Sequence, residues 1–250
     1  MSIRSLLKTI IPEPVKQILR PIKKCFIKKD GSELPVAKKG DLELSYWKGR
    51  LEIEKGKLDN SHYRRVMLAM AEASGDDFLK GKIVADFGCG PRGSLAWVGS
   101  ALLRIGIDVL ADRYADEFTG NITSHGMIYL KSTEKVIPLP SGFVDIVFTM
   151  NAMDHVDNFP DMCGEIIRIL KPGGTFVGSF NLGEPANICE PQQLNEDIIK
   201  EHLLGRLDIQ SYRIAKKGPA ENRYGPFFDG DLSYEPGQEC TLWVRARKSG

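Results

Sequence analysis

The chain predicts an α/β fold built on a doubly wound, mostly parallel sheet with helices on both faces. Ile83–Phe87 is a short apolar run that enters a glycine-rich turn. Phe143–Phe148 is nearly continuous in apolar residues, the pattern of a parallel strand buried on both faces. Further strand-like and helical segments alternate on either side of these two runs. At 250 residues, the length suits one such domain with an accessory segment.

The first strand and its turn carry the most chemistry. Gly88, Gly90 and Gly93 fit G-x-G-x-x-G, where missing Cβ atoms let the backbone turn tightly and approach a ligand. A helix is expected to open near Ser94. Cys89 lies within the turn, where a small side chain is needed, so it is read as a lining residue. The glycines alone are shared by dinucleotide sites, kinases and unrelated turns. Asp86, two residues before the first glycine, narrows the choice. A carboxylate there repels a pyrophosphate but suits the ammonium and sulfonium of S-adenosylmethionine.

Leu103–Asp108 reads as the second strand, ending in an acid. In a doubly wound sheet, ligands bind beyond the carboxyl ends of the strands near the switch in strand order. Asp108 is therefore placed to hydrogen-bond ribose hydroxyls, with Val109 or Leu110 against the base. This feature fits S-adenosylmethionine and NAD equally.

Downstream, Ile137-Pro138-Leu139-Pro140 precedes the strand of Val144–Met150, and Asn151-Ala152-Met153-Asp154-His155-Val156 follows it. A helix end, the string Leu170-Lys171-Pro172-Gly173-Gly174 and a new strand come next, with a reversal at Pro-Gly-Gly. Together these blocks resemble the class I S-adenosylmethionine-dependent methyltransferases, of the small-molecule, Rossmann-like type. The resemblance is strong over roughly residues 82 to 182. Its one irregularity is Arg92, which stands where the tight version of the loop has its third glycine. No dehydrogenase pattern accounts for all the blocks at this spacing.

The resemblance implies a seven-stranded sheet whose last strand runs antiparallel to the others. It implies S-adenosylmethionine as cofactor, held by Asp86, Gly88, Cys89, Gly90, Asp108 and Val109. By position, Ser132, Thr133 and Glu134 would contact adenine, and Asn151 would line the methionine or methyl-transfer region. His155 is the named base candidate, or else a structural histidine. Asp154 is its catalytic neighbour, or else the cap of the following helix. Asn181, after the fifth strand, would face the acceptor.

Composition bounds the rest. Cys25, Cys89, Cys163, Cys189 and Cys240 are scattered and odd in number, with no C-x-x-C pair. Neither a disulfide framework nor a zinc site is indicated, and no metal is expected; a reducing, cytoplasmic setting is. No run of about 18 apolar residues offers a transmembrane helix. Pro12, Glu13 and Pro14 interrupt the only candidate signal core.

Residues 1–40 hold ten Lys or Arg against three acids, so the remainder is net acidic. Apolar residues interleave with these charges, and residues 1–30 are expected either to make peripheral contact with an anionic membrane at its inner surface, or to pack as an arm. Nucleic acid is disfavoured, because aromatic platforms are lacking and the remaining domain is acidic.

The expected organisation is a basic amphipathic arm over 1–40, a helical lid or accessory segment over 41–80, and the methyltransferase domain over 81–250. Tyr46, Trp47, His62 and Tyr63 are candidate lid residues, or else the buried side of packing helices. A helix is expected over 191–207, closing strands at 208–214 and 241–246, and a loop over 218–237 at the substrate side or an oligomer contact.

Transfer to a small-molecule, sugar or lipid-linked acceptor follows, with O-methylation favoured. The alternatives are C- or N-methylation of a quinone-like molecule, or a non-catalytic cofactor-binding scaffold. Oligomeric state is left open.

Overall fold

The computed structural model describes residues 36–219, 222–235 and 237–250. The membrane contact expected of residues 1–30 therefore lies outside the described residues. The chain divides into two compact units: one runs to Leu58 and includes Asn187–Cys189, and the other comprises Asp59–Ala186 and Glu190–Gly250. The first contains helix α1 (Val36–Ile53), whose end is tied by an Arg50–Glu54 ion pair of 2.5 Å one turn apart.

The second unit is an α/β domain on a seven-stranded sheet. Its strands are β1 (Ile83–Phe87), β2 (Leu103–Asp108), β3 (Ile128–Lys131), β4 (Val144–Met150), β5 (Leu170–Leu182), β6 (Asp208–Lys216) and β7 (Cys240–Arg247). Their order is β3-β2-β1-β4-β5-β7-β6. Strands β1 to β5 pair in parallel, while β7 runs antiparallel to both β5 and β6. The strand order reverses between β1 and β4, which places the switch point beside Phe87 and Met150.

Alternation along the central strands sends side chains to two apolar layers. Val84, Ile146, Phe148, Val177 and Trp243 pack with Val66, Met67 and Met70 of α2 (His62–Met70). Ala85, Phe87, Val147, Phe176 and Phe180 pack with Met162, Ile166 and Ile169 of α5 (Phe159–Ile169), and with Ile199 of α6 (Glu196–His202). Two arginines on the closing strands hold α2 in place. Arg213 donates to the Ala69 carbonyl (2.8 Å) and Arg245 to the Ala71 carbonyl (3.0 Å), both at the helix's carboxyl end.

The Ile137–Leu139 segment is fastened to α5 in a similar way. Glu165 accepts from the Ile137 amide (2.7 Å), and Arg168 donates to the carbonyls of Ile137 and Leu139 (both 2.7 Å). Asn158 caps α5, accepting from the Asp161 amide at 3.1 Å, a contact worth about 1 kcal/mol. This corrects the expectation that Asp154 caps that helix.

Several other local expectations change. No α-helix opens near Ser94: a single turn of 3₁₀ helix, Gly90–Arg92, is followed by irregular turns. Gly93 stands at φ +77° in the left-handed region, and a Cβ there would lie 2.4 Å from the His125 ring. A right-handed helix cannot pass through that conformation. Two short helices, α3 (Ala111–Glu117) and α4 (Thr119–Ser124), fill the β2–β3 crossover instead.

The helix expected over 191–207 begins only at Glu196, after Asn195 caps it through the Ile198 amide (2.9 Å). Residues before it are occupied elsewhere, since the Gln192 amide donates to the Asp154 carbonyl (3.2 Å). The Pro-Gly-Gly reversal is an irregularity inside β5, where the register against β4 steps from Leu170 to Thr175. The 218–237 interval contains α7 (Gly225–Asp229), and Phe227 stacks on Trp243 at 3.9 Å between ring centroids. This short helix is packed against the sheet.

Candidate active site

The site assembles at the carboxyl ends of β1, β2, β4 and β5, from loops that their glycines and acids shape. Gly88 adopts φ +71°, and a Cβ on it would fall 2.1 Å from Cβ of Ala152, so the β1 loop passes directly against the β4 loop. The Gly88 amide donates to the Ile107 carbonyl (2.8 Å), and Cys89 is buried, with Sγ against Gly106. Cys89 therefore shapes the loop by filling space.

Asp108 ties the loop from the neighbouring strand. One of its oxygens accepts from the Gly90 amide (3.0 Å) and the other from the Leu110 amide (2.9 Å). Both carboxylate oxygens thus hold loop amides in place. Val109, partly exposed, follows directly.

Asp86 is only 2 % exposed. Ser94 donates its hydroxyl to Oδ2, while Oδ1 has no hydrogen-bond partner among the described residues. Burial above all, with the nearby Asp108 charge, raises the Asp86 pKa to about 7 against the opposing Ser94 hydrogen bond. A buried, half-satisfied carboxylate is costly unless a cation or donor arrives to meet it. Tyr63 stands in the electrostatic neighbourhood of Asp86, Arg92, Cys89 and Tyr224, and burial raises its phenol pKa. Of the aromatic residues expected to form a lid, Tyr63 and His62 are on α2 of this unit, and Tyr46 and Trp47 are on α1.

The three residues expected at the adenine edge differ. Ser132 is buried, its amide donating to the Asp108 carbonyl (3.1 Å) and its hydroxyl without a partner among the described residues. Thr133 is exposed and its hydroxyl accepts from the Val136 amide (2.9 Å). Glu134 accepts from the Asp157 amide (3.1 Å), linking its loop to the one after β4. Ser132 alone of the three presents an unused polar atom beside Asp108.

Asn151 follows β4 at φ +48°, an uncommon conformation for a residue with a side chain. Its amide N–H donates to the Ser179 carbonyl (2.9 Å). In the orientation that satisfies its neighbours, its side chain donates to Ser179 Oγ (2.8 Å) and accepts from the Tyr224 hydroxyl (2.9 Å) and the Arg223 guanidinium (3.2 Å). Ser179 was not among the sequence candidates, whereas Tyr224 lies in the 218–237 interval expected at the substrate side. Ser179 adjoins the predicted fifth strand, but Tyr224 is 73 residues from Asn151 and no local signal joins them.

Beyond Asn151 lies a charged cluster. Asp154 is 4 % exposed; Asn181 donates to its Oδ2 at 3.4 Å, and its Oδ1 lacks a hydrogen-bond partner among the described residues. Burial raises the Asp154 pKa, His155 opposing it and Glu190 and Glu184 adding to it. His155 Nε2 lies 3.9 Å from Asp154 Oδ1 and 3.7 Å from Glu190 Oε1. Glu190 was not among the sequence candidates, being 35 residues beyond its partner in a segment with no motif.

This sheet order, with an acid-flanked glycine loop at its switch point, defines a Rossmann-like methyltransferase fold. Residues 85–178 match the family model described as "Methyltransferase domain". S-adenosylmethionine is the methyl donor that this family implies.

Over 95 residues the chain is 32% identical to a malonyl-[acyl-carrier protein] O-methyltransferase of Enterobacter lignolyticus, covering 38% of this chain and 37% of that one. Over 141 residues it is 28% identical to an uncharacterized protein of Haemophilus influenzae, covering 52% and 54%. The chain thus spans about a third to a half of the length of these curated relatives. A solved complex of the Haloferax volcanii Trm112 methyltransferase activator with a methyltransferase shares the fold, at TM-score 0.57 and 19% identity over 80% of this chain and 95% of that one.

The residues present suit such a cofactor. The unpartnered Asp86 oxygen offers an acceptor to a cationic group, the Gly88 turn brings backbone close, and Asp108 and Ser132 offer acceptors for hydroxyl and amino groups. No helix among the described residues is long and apolar enough to cross a membrane.

Proposed function

We propose that this chain moves a methyl group from S-adenosylmethionine to a small-molecule, sugar or lipid-linked acceptor, with oxygen as the accepting atom. The buried Asp86 oxygen without a partner, beside the Gly88 turn, carries the reading. Asp86 holds the cofactor's ammonium, Asp108 its ribose hydroxyls, Val109 and Ser132 its adenine, with Thr133 and Glu134 fixing the surrounding loops. Gly88, Cys89 and Gly90 provide the surface on which it lies, and Asn151, braced by Ser179 and Tyr224, orients its methionine end.

When bound, S-adenosylmethionine supplies a methyl on sulfonium, open to in-line displacement. The chain's own residues position the acceptor and take its proton. His155 Nε2 is the atom placed for that transfer, and the carboxylates of Asp154 and Glu190 stabilise the imidazolium that results. The O-methyltransferase relative supports oxygen as the acceptor.

Calorimetric titration of the purified chain with S-adenosylmethionine and S-adenosylhomocysteine is expected to show micromolar binding, weakened at least tenfold by Asp108→Ala. With labelled methyl donor, His155→Ala is expected to slow transfer to a hydroxylated acceptor by about 10²–10⁴. An intact chain that binds neither compound overturns the proposal.

For a lipid-linked acceptor, the basic residues 1–30 serve as an electrostatic membrane contact at the cytoplasmic face. Co-sedimentation with anionic vesicles is then expected to be lost on deleting them and to weaken with salt; unchanged sedimentation removes the membrane part.

A further inference from the structure

We infer that Asp154, His155 and Glu190 form a binding site for a divalent first-row transition-metal cation, such as Mn²⁺ or Zn²⁺. One ligand atom from each residue lies within 4.8 Å of the others. The 3.9 Å and 3.7 Å gaps from His155 Nε2 to the two carboxylates are too long for hydrogen bonds. They fit donors that share an ion: at bonds of about 2.1 Å, two donors can stand up to about 4.2 Å apart across one cation.

Asp154 supplies an independent sign of a missing ligand. Its carboxyl is almost wholly buried, and Oδ1, the oxygen aimed at His155, has no hydrogen-bond partner among the described residues. Such an oxygen costs free energy until something positive meets it. Asn181 reaches only the other oxygen, at 3.4 Å. Glu184, the further acid in the electrostatic neighbourhood, is paired with Lys217 at 2.5 Å.

The fold also holds the donors in place. The Gln192 amide donates to the Asp154 carbonyl (3.2 Å), and Gln192 Nε2 donates to the Val156 carbonyl (3.0 Å). These bonds fasten the segment carrying Glu190 to the loop carrying Asp154 and His155. That brings three donors together without a sequence motif.

One imidazole nitrogen with two carboxylates suits first-row transition-metal ions better than Mg²⁺ or Ca²⁺, which take oxygen donors. Three protein donors leave coordination positions open to water or to an acceptor oxygen. An acceptor hydroxyl bound there would lose its proton to water at lower pH, and the resulting oxyanion would take the methyl group as the sulfonium S–CH₃ bond breaks and the neutral thioether leaves. His155 is then a neutral ligand and the cation replaces imidazolium as the stabilising charge. That role rests on the methyl-transfer proposal, whereas cation binding does not.

The test is titration of the full, metal-stripped chain with MnCl₂, following free Mn²⁺ by paramagnetic resonance, with ZnCl₂ as competitor. One Mn²⁺ per chain is expected at micromolar affinity, displaced by Zn²⁺ and weakened at least tenfold by Asp154→Asn and by Glu190→Gln. A native-like circular dichroism spectrum and a cooperative thermal melt show that both variants remain folded. Absence of Mn²⁺ and Zn²⁺ binding at millimolar concentration, or equal binding by the intact chain and both folded variants, overturns the inference. Mn²⁺ binding without cofactor binding would leave this site standing and remove the methyl-transfer proposal; the converse would do the opposite.

Discussion

Asp86→Asn is expected to make the cofactor-free protein more stable at pH 8 while removing most of its affinity for S-adenosylmethionine. Burial raises the Asp86 pKa to about 7, far above the 3.8 of a free aspartate. Between those values the folded state keeps a proton that the unfolded state has released, so stability falls as pH rises from about 4 to 7 and is level above. At about 1.4 kcal/mol per pH unit, the cost of ionisation has a ceiling on the order of 4 kcal/mol.

Asparagine keeps an acceptor for Ser94 and carries no charge, so it escapes that cost. A gain of about 2 kcal/mol, read as a rise in Tm of roughly 4–8 °C at pH 8, is expected from calorimetry. Below about pH 3 the gain should vanish, because the aspartate is then neutral in both states.

Binding moves the other way. The cofactor's positive groups favour the ionised carboxyl, so affinity of the intact chain should fall as pH drops below about 7. The variant loses a buried charge partner, costing about 2–5 kcal/mol, or thirtyfold and more in Kd, and its binding should lack that pH dependence. A variant that binds as tightly as the original would place the cofactor elsewhere.

Gly88→Ala is expected to destabilise the domain and disrupt the loop for two separable reasons. At φ +71° an L-residue costs about 1–2 kcal/mol, and the new Cβ would stand 2.1 Å from Cβ of Ala152. Relieving that overlap requires the β1 and β4 loops to part, at a further cost of about 1–3 kcal/mol. The sum predicts a fall in Tm of roughly 5–15 °C.

Gly88→Ala combined with Ala152→Gly removes the steric part and leaves the backbone part. A coupling of about 1–3 kcal/mol between the two substitutions is therefore expected from chemical denaturation. Cofactor affinity should fall with the single change and partly recover in the double one. Full additivity of the two would show that these loops do not press on one another.

The glycine loop, Asp86, Asp108 and the central strands were legible in sequence because each is a local device. Gly88 and Gly90 are needed where the backbone turns through positive φ. Runs such as Val144–Phe148 are apolar because both faces of a central strand are covered. The missing helix after β1 was not legible: Gly93 could serve a helix or break it, and the crowding His125 ring, 32 residues away, settles the matter. Helices α3 and α4 passed unseen because neither is long enough to show a periodicity.

The acceptor side was least legible. Tyr224 meets Asn151 across 73 residues, and Glu190 comes beside His155 only because Gln192 fastens its segment to the β4 loop. By itself the sequence determined the strands, the glycine loop after β1 and the acids beside it, since these depend on neighbours a few positions apart. The tertiary structure decided which distant side chains share the acceptor side and which carboxylates are left half-satisfied, because burial and long-range packing exist only once the sheet is assembled.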